Sequence, residues 1–383
     1  MEKTIFEMLK TLIALSSVSS KDPALDQSNR TVINCLAEWL NDLGFSVEIM
    51  PSQGAADKFN LIASAGSGEG GLLFSGHTDT VPFDETKWTS HPLVLREDNG
   101  RWYGLGTSDM KGFFPVLVEA VRGISLAALK KPLYVVATAD EESSMSGIRA
   151  LYESGMPKAR YSIVGEPTSL KPVHMNKGIA MEAVRLTGVP GHSSNPARGR
   201  NAIDGMYNVM QALMQWRNGL KERYPAPDFE VAWPTVNFGR IFGGDSPNRI
   251  CPSCELHFDI RLVPGMDIEQ TRAELKSMVH EAIDGMGFTA EIFHLFPGVH
   301  PMHTPVDSPL VSLAEQITGE KAMAVQFATE GYFYNALGMD TIILGPGDIN
   351  TVHQPDEYLN SAMINPAVNV YRSLIQALCI HEN

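Results

Sequence analysis

The run Leu133-Tyr134-Val135-Val136-Ala137-Thr138-Ala139 is apolar almost throughout and stops at three carboxylates in succession, Asp140, Glu141 and Glu142. A run with so little alternation reads as a strand buried on both faces, which belongs in a largely parallel sheet covered by helices. Like charges crowded at one strand end repel one another, so the cluster needs a compensating positive charge or open water. Ligands in such sheets collect beyond the carboxyl ends of the strands. The expectation is an α/β protein with its site at that sheet edge.

Similar runs stand at 72–76 (LLFSG), 161–165 (YSIVG) and 341–344 (TIIL). Helical patterns lie around them. Residues 28–44 place Val32, Leu36, Trp39, Leu40 and Leu43 on one face before Gly44, and a second pattern runs from Lys111 to about Arg122. The N-terminal segment, with Glu2 and Glu7 among apolar residues, reads as an amphipathic helix of the mature protein. A final helix begins near Pro366, with Val368, Tyr371, Leu374, Ile375 and Leu378 as its apolar face.

Each strand end carries a group with chemistry. His77 and Asp79 follow the first run, and residues two apart on extended backbone point the same way. A carboxylate beside a histidine commonly fixes the tautomer of a metal ligand. Asp109 lies in the glycine-rich turn 104–112 (GLGTSDMKG), directly before a helix. Such turns also bind phosphate, but the spacing fits neither a P-loop nor a dinucleotide fingerprint, and an aspartate would repel the anion. Glu166 follows the third run, and His353 lies in the loop 345–357 (GPGDINTVHQPDE) after the last.

Histidines and carboxylates together form a mixed nitrogen and oxygen set suited to Zn²⁺, with Co²⁺ or Mn²⁺ as substitutes. One ion cannot use them all and keep an open position, whereas two ions about 3.5–4 Å apart that share a carboxylate can. Two divalent cations would then offset the acids. Eight further histidines, His91, His174, His257, His280, His294, His300, His303 and His381, have no comparable acidic motif.

From about Lys177 the texture changes. Residues 179–187, 236–241, 254–263 and 290–296 alternate apolar and polar, with helical segments at 200–219 and 268–285 between them. This is expected to be an inserted α+β, ferredoxin-like domain over 178–298, leaving 1–177 and 299–383 as the catalytic domain. A length of 383 residues also favours two domains.

A formal charge of −14 argues against nucleic acid and anionic membrane surfaces as partners. No apolar stretch reaches the roughly 18–20 residues of a membrane span. Four cysteines make no disulfide framework, and Cys251 and Cys254 sit in an alternating pattern that reads as ordinary strand. A reducing compartment, the cytoplasm, is expected.

The segments GHTDTVP (76–82), GTSDMKG (106–112), ADEES (139–143), VGEPT (164–168) and HQPDEY (353–358) resemble the metallopeptidase family that contains acetylornithine deacetylase, succinyl-diaminopimelate desuccinylase, aminoacylase and bacterial carboxypeptidases. The resemblance runs nearly end to end. It implies a zinc-peptidase-like catalytic domain with a mostly parallel mixed sheet, and a lid and dimerisation domain in the insert, so that a homodimer is expected. Asp109 would bridge two zinc ions, with His77 and Glu166 on one and Glu142 and His353 on the other. Asp79 would orient His77, and Glu141 would be the general base, passing a proton from water to the leaving amine. His192, in the lid segment GHSS (191–194), would stabilise the oxyanion, often from the partner subunit. A preorganised donor there contributes roughly 2.7–4 kcal/mol.

Within the family, ALDQSN (24–29), LKKPLYVVATADEES (129–143), HSSNPARGRNAI (192–203) and NRICPSCELHFDIR (248–261) are most similar to the acetylornithine deacetylases. That implies a small N-acyl amino acid as substrate, with acetate removed from Nα-acetyl-L-ornithine. Another acylamino acid or succinyl-diaminopimelate is the alternative within the same chemistry, and a metal-binding scaffold without turnover is the alternative outside it. The substrate carboxylate would meet Asn248 and Arg261, with Lys177 a weaker candidate, and Glu330 would meet the substrate ammonium or a network near the metal. Gly331-Tyr332-Phe333-Tyr334 departs from the deacetylase pattern.

Overall fold

The computed structural model describes residues 3–52 and 57–381. The chain forms two compact units, Met1–His174 with His303–Met323 and Thr329–Asn383, and Met175–Met302 with Ala324–Ala328. The short excursion 324–328 has no marker in the sequence pattern.

The sheet of the first unit runs in the order Ser46–Pro51, Phe59–Ala65, Leu133–Thr138, Leu72–His77, Tyr161–Val164, Asp340–Ile343. The last four are parallel neighbours, whereas Phe59–Ala65 is antiparallel to both of its neighbours. The four apolar runs are therefore the parallel centre of a mixed α/β sheet. Patterning does not mark Ser46–Pro51, because this edge strand is largely exposed and carries neither an apolar run nor a clean alternation.

Helix Ile5–Ala14 starts at a capping box: the Glu7 amide donates to Thr4 Oγ1 at 3.2 Å, and the Thr4 amide donates to Glu7 Oε2 at 2.8 Å. Its Met8, Leu9, Leu12 and Ile13 join one core with Arg30–Asp42, Phe113–Arg122 and Ile364–Ile375. Phe74 of the central strand meets Tyr371 at a ring separation of 5.2 Å, and Phe113 meets Tyr371 at 5.7 Å. Each such ring stabilises the fold by roughly 1.5–3 kcal/mol through burial. The helix that follows the glycine-rich turn is thus fixed on the sheet. The expected final helix runs from Ile364, two residues before Pro366.

In the second unit the strands Thr235–Gly243, Ser253–Leu262, Gly178–Thr187 and Thr289–Val299 form an antiparallel sheet in that order. Numbered along the chain this is the order 2-3-1-4, the ferredoxin-like arrangement that two interleaved βαβ units produce. Helices Ala202–Arg223 and Ile268–Ala282 pack against it, capped by Asn201 and Asp267, whose side chains accept from the amides of Ile203 and Gln270. Cys251 and Cys254 are buried free thiols of this core. Among the described residues no helix is long and apolar enough to cross a membrane.

Candidate metal centre

His77 ends its strand, Glu141 and Glu142 follow Leu133–Thr138, Glu166 follows Tyr161–Val164, and His353 follows Asp340–Ile343 through a short loop. Four adjacent parallel strands thus deliver their groups to one edge of the first unit. Asp109 arrives from the glycine-rich turn, where Gly106 has φ +83°, a conformation that disfavours a side chain. Gly165 lets the backbone before Glu166 lie on Phe113, since a Cβ there would stand 2.2 Å from the ring.

Asp109 lies between the two histidines. Its Oδ1 is 3.0 Å from His77 Nε2 and its Oδ2 is 3.0 Å from His353 Nε2. His77 Nε2 is also 3.8 Å from Glu166 Oε1, and His353 Nε2 is 3.0 Å from Glu142 Oε1. Ligand atoms of His77, Asp109 and Glu142 lie within 4.8 Å of one another, and so do those of His77, Glu141 and Glu166. One carboxylate with each oxygen facing a different imidazole is the arrangement a shared ligand of two cations requires. The donor set therefore fits two divalent ions.

The electrostatics point the same way. Burial, then the charge of Glu166, pushes the Glu141 carboxyl well above the usual range, and burial, then Asp109, does the same to Glu166. Hydrogen bonds to Asp109 and Glu142 hold His353 at about 11. For Asp109, burial is outweighed by the hydrogen bonds from His353 and His77, which hold it below the ordinary aspartate value. Excess negative charge in a buried cluster is what a cation relieves.

Asp79 does more than orient one ring. His77 Nδ1 donates to the Asp79 backbone carbonyl at 3.1 Å and lies 3.6 Å from its Oδ1, which leaves Nε2 as the ligand atom. The two carboxylate oxygens accept from the amides of Glu141 and Glu142 at 3.3 and 3.1 Å. One side chain thus sets the positions of a histidine and of the acid pair.

Two buried groups escaped sequence reasoning. Glu357 accepts from the amides of Gly106, Ser108 and Asp109 at 3.1, 2.8 and 3.0 Å, fixing the Asp109 turn against the loop that carries His353. It stands in the quoted segment HQPDEY, so its position was visible and its partners were not. Lys111 is fully buried and donates to the carbonyls of Leu12 and Leu15, with burial pushing it down to about 7. Nothing in a one-dimensional pattern marks a lysine that seals a helix end.

Of the expected substrate contacts, Lys177 and Arg261 are close in the second unit, where burial and then the Arg261 charge lower the Lys177 ammonium to about 8. Asn248 and His192 are neighbours in the second unit, where Ser193 donates to the Asn248 carbonyl at 3.1 Å and His192 pairs with Arg249; both side chains are exposed. Arg261 donates to Asp259 at 2.9 Å in its own strand. Lys177 Nζ donates to the carbonyls of Val231 and Trp233 at 2.8 and 2.7 Å. Glu330 is 1% exposed, and its Oε1 is buried without a hydrogen-bond partner. Its Oε2 lies 3.4 Å from Ser75 Oγ, and burial pushes its carboxyl up to about 7, in the network beneath His77 and Asp79.

A parallel-centred sheet that gathers two imidazoles and several carboxylates around one aspartate offers the donor set of a metal centre. The chain belongs to peptidase family M20/M25/M40, whose family model matches residues 73–377. Its fold is similar to that of a tripeptidase from Staphylococcus aureus, at 18% identity over 98% of this chain and 97% of that one, with a TM-score of 0.76. An M20 family metallo-carboxypeptidase from Sulfolobus solfataricus gives 18% identity, 98% and 99% coverage and a TM-score of 0.77. A dinuclear metal binding peptidase of the M20 family from Bacillus subtilis gives 14% identity, 98% and 97% coverage and a TM-score of 0.69.

Proposed function

We propose that the protein is a di-zinc amide hydrolase that removes acetate from Nα-acetyl-L-ornithine. The observation that carries the chemistry is Asp109, with one oxygen on each of two histidines. The substrate rests on the likeness of 24–29, 129–143, 192–203 and 248–261 to the acetylornithine deacetylases. When bound, two divalent cations polarise an amide carbonyl and make water a nucleophile near neutral pH. Asp109 would be shared, His77 and Glu166 would hold one cation, and Glu142 and His353 the other. Glu141 holds the proton taken from water and delivers it to the leaving nitrogen. His353 is the exposed member of the set, so substrate enters on its side.

Hydrolysis of Nα-acetyl-L-ornithine, N-succinyl-diaminopimelate, Nα-acetyl-methionine and a dipeptide by metal-stripped protein, before and after Zn²⁺ is added, tests this reading. Zinc-dependent turnover fastest on acetylornithine is expected. Turnover fastest on another member keeps the centre and overturns the substrate, pointing to the Gly331–Tyr334 segment. No turnover on any of them would leave a metal-binding scaffold.

The protein acts as a homodimer through its second unit. Strand Thr235–Gly243 is an edge with exposed Ile241 and Phe242, and the adjacent helix Ala202–Arg223 exposes Ile203, Tyr207 and Met214. An apolar edge of this kind invites a second copy. His192 serves as the oxyanion donor for the partner subunit. Mixing inactive His192→Ala and Glu141→Gln chains in equal amounts should then recover roughly a quarter of wild-type activity, since half the dimers are hybrids with one complete site. Confirmed subunit exchange with no recovery would end the trans assignment.

A further inference from the structure

The acid triplet at 140–142 has a positive charge of its own within the chain. Lys58 precedes strand Phe59–Ala65, and its side chain is 2% exposed. Its Nζ is 2.7 Å from Oδ1 of Asp26 and 2.7 Å from Oδ1 of Asp140. Asp140 also accepts from Ser19 Oγ at 2.9 Å and from Ser146 Oγ at 3.0 Å, so both of its oxygens are engaged away from the histidines. Burial works against the charge on Lys58, but its hydrogen bonds to Asp140 and Asp26 hold its pKa above the ordinary lysine value.

The geometry of the turn gives this pairing a consequence. Asp140 has φ 57°, in the left-handed region, and the chain turns there so that the next two amides donate to Asp79. Three successive acids cannot all enter one buried site without severe repulsion. We propose that Lys58 is a positioning residue for the metal centre: it neutralises Asp140 beside Ser19 and Ser146, removes it from the cation-binding set, and fixes the turn that presents Glu141 and Glu142. The inference rests on the metal-centre reading above. Without Lys58, Asp140 becomes an uncompensated buried carboxylate one residue from Glu141, free to swing toward a cation or to push the pair out of place. Asp26 is less affected, because its side chain is 33% exposed and water can solvate it.

The test is Zn²⁺ affinity, read by competition with a chromophoric chelator, on wild type, Lys58→Met and the double variant Lys58→Met/Asp140→Asn. Lys58→Met should weaken zinc binding about 10- to 100-fold, the scale of a lost partner outside the ligand set. The double variant should return to within about threefold of wild type, because it removes the acid that Lys58 masks. A residue that merely braced the N-terminal loop would show no such rescue, since both variants lack the tie. Unchanged affinity in Lys58→Met, or a double variant no tighter than the single one, overturns the proposal. If Lys58→Met fails to fold while the double variant folds and binds zinc, the proposal stands; if neither folds, it falls. A wild-type chain that binds no zinc overturns the metal centre and this inference together, whereas tight wild-type binding shared by Lys58→Met overturns this inference alone.

Discussion

Replacing Glu141 with glutamine is expected to lower kcat by about 10²- to 10⁴-fold, the usual contribution of a positioned acid–base group, while the chain still takes up two divalent cations. The two readouts separate the roles open to this side chain. Its carboxylate lies within 4.8 Å of ligand atoms of both His77 and Glu166, so distance alone would also allow it to be a ligand. A glutamate committed to coordination cannot accept the proton as well. Glutamine preserves size and most hydrogen bonding but cannot hold a proton, so activity should collapse with zinc stoichiometry intact. Loss of one zinc together with activity would instead make Glu141 a ligand and transfer the base role to a neighbour. The backbone should be undisturbed, because the amides of 141 and 142 are held by Asp79, which the variant leaves alone.

The sequence was most legible where chemistry sits on regular structure. Buried parallel strands are nearly uninterrupted apolar runs, so Leu133–Thr138 and Leu72–His77 announced themselves, and with them the groups at their carboxyl ends. The strands of the inserted unit were legible from alternation in sequence, which Ser253–Leu262 keeps in its burial, whereas Gly178–Thr187 is buried at nearly every position. What stayed hidden depends on partners far away in the chain. Lys58 and Asp140 are 82 residues apart (140 − 58) and meet only after the sheet has formed. Glu357 reaches the amide of Asp109 across 248 residues. In both cases one buried polar side chain positions a loop of the site, and neither residue type nor local spacing records such a bond. Lys177 shows the same dependence: the resemblance made it a weaker candidate for the substrate carboxylate, and its ammonium donates to the carbonyls of Val231 and Trp233, 54 and 56 residues further on.

These braces fix the loops that carry the acids beyond the strand ends. Asp79 ties the acid pair to His77, Glu357 ties the Asp109 turn to the loop of His353, and Lys58 takes Asp140 out of the competition. The carboxyls of Asp79 and Glu357 accept from backbone amides, and Lys58 meets an opposite charge. The geometry at Asp109 is the sum of these ties.

Asp109→Asn is therefore expected to be the most damaging single substitution for cation binding. An aspartate that serves both histidines loses its charge at both positions at once, so neither zinc should bind as in wild type. Affinity should fall by more than about 100-fold, beyond the range for partners outside the ligand set, and activity should fall with it. The proton count gives a second reading of the same variant. His353 is held at about 11 by its hydrogen bonds to Asp109 and Glu142, so it carries a proton at neutral pH that a cation on Nε2 must expel. Zinc binding to wild type should accordingly release protons at pH 7 and tighten as pH rises. In Asp109→Asn the larger of those two supports is gone, His353 should titrate lower, and fewer protons should be released per zinc. Calorimetry in buffers of different ionisation enthalpy measures that number. An Asn variant that still binds two zinc ions tightly, with the wild-type proton release, would show that Asp109 is not the shared ligand.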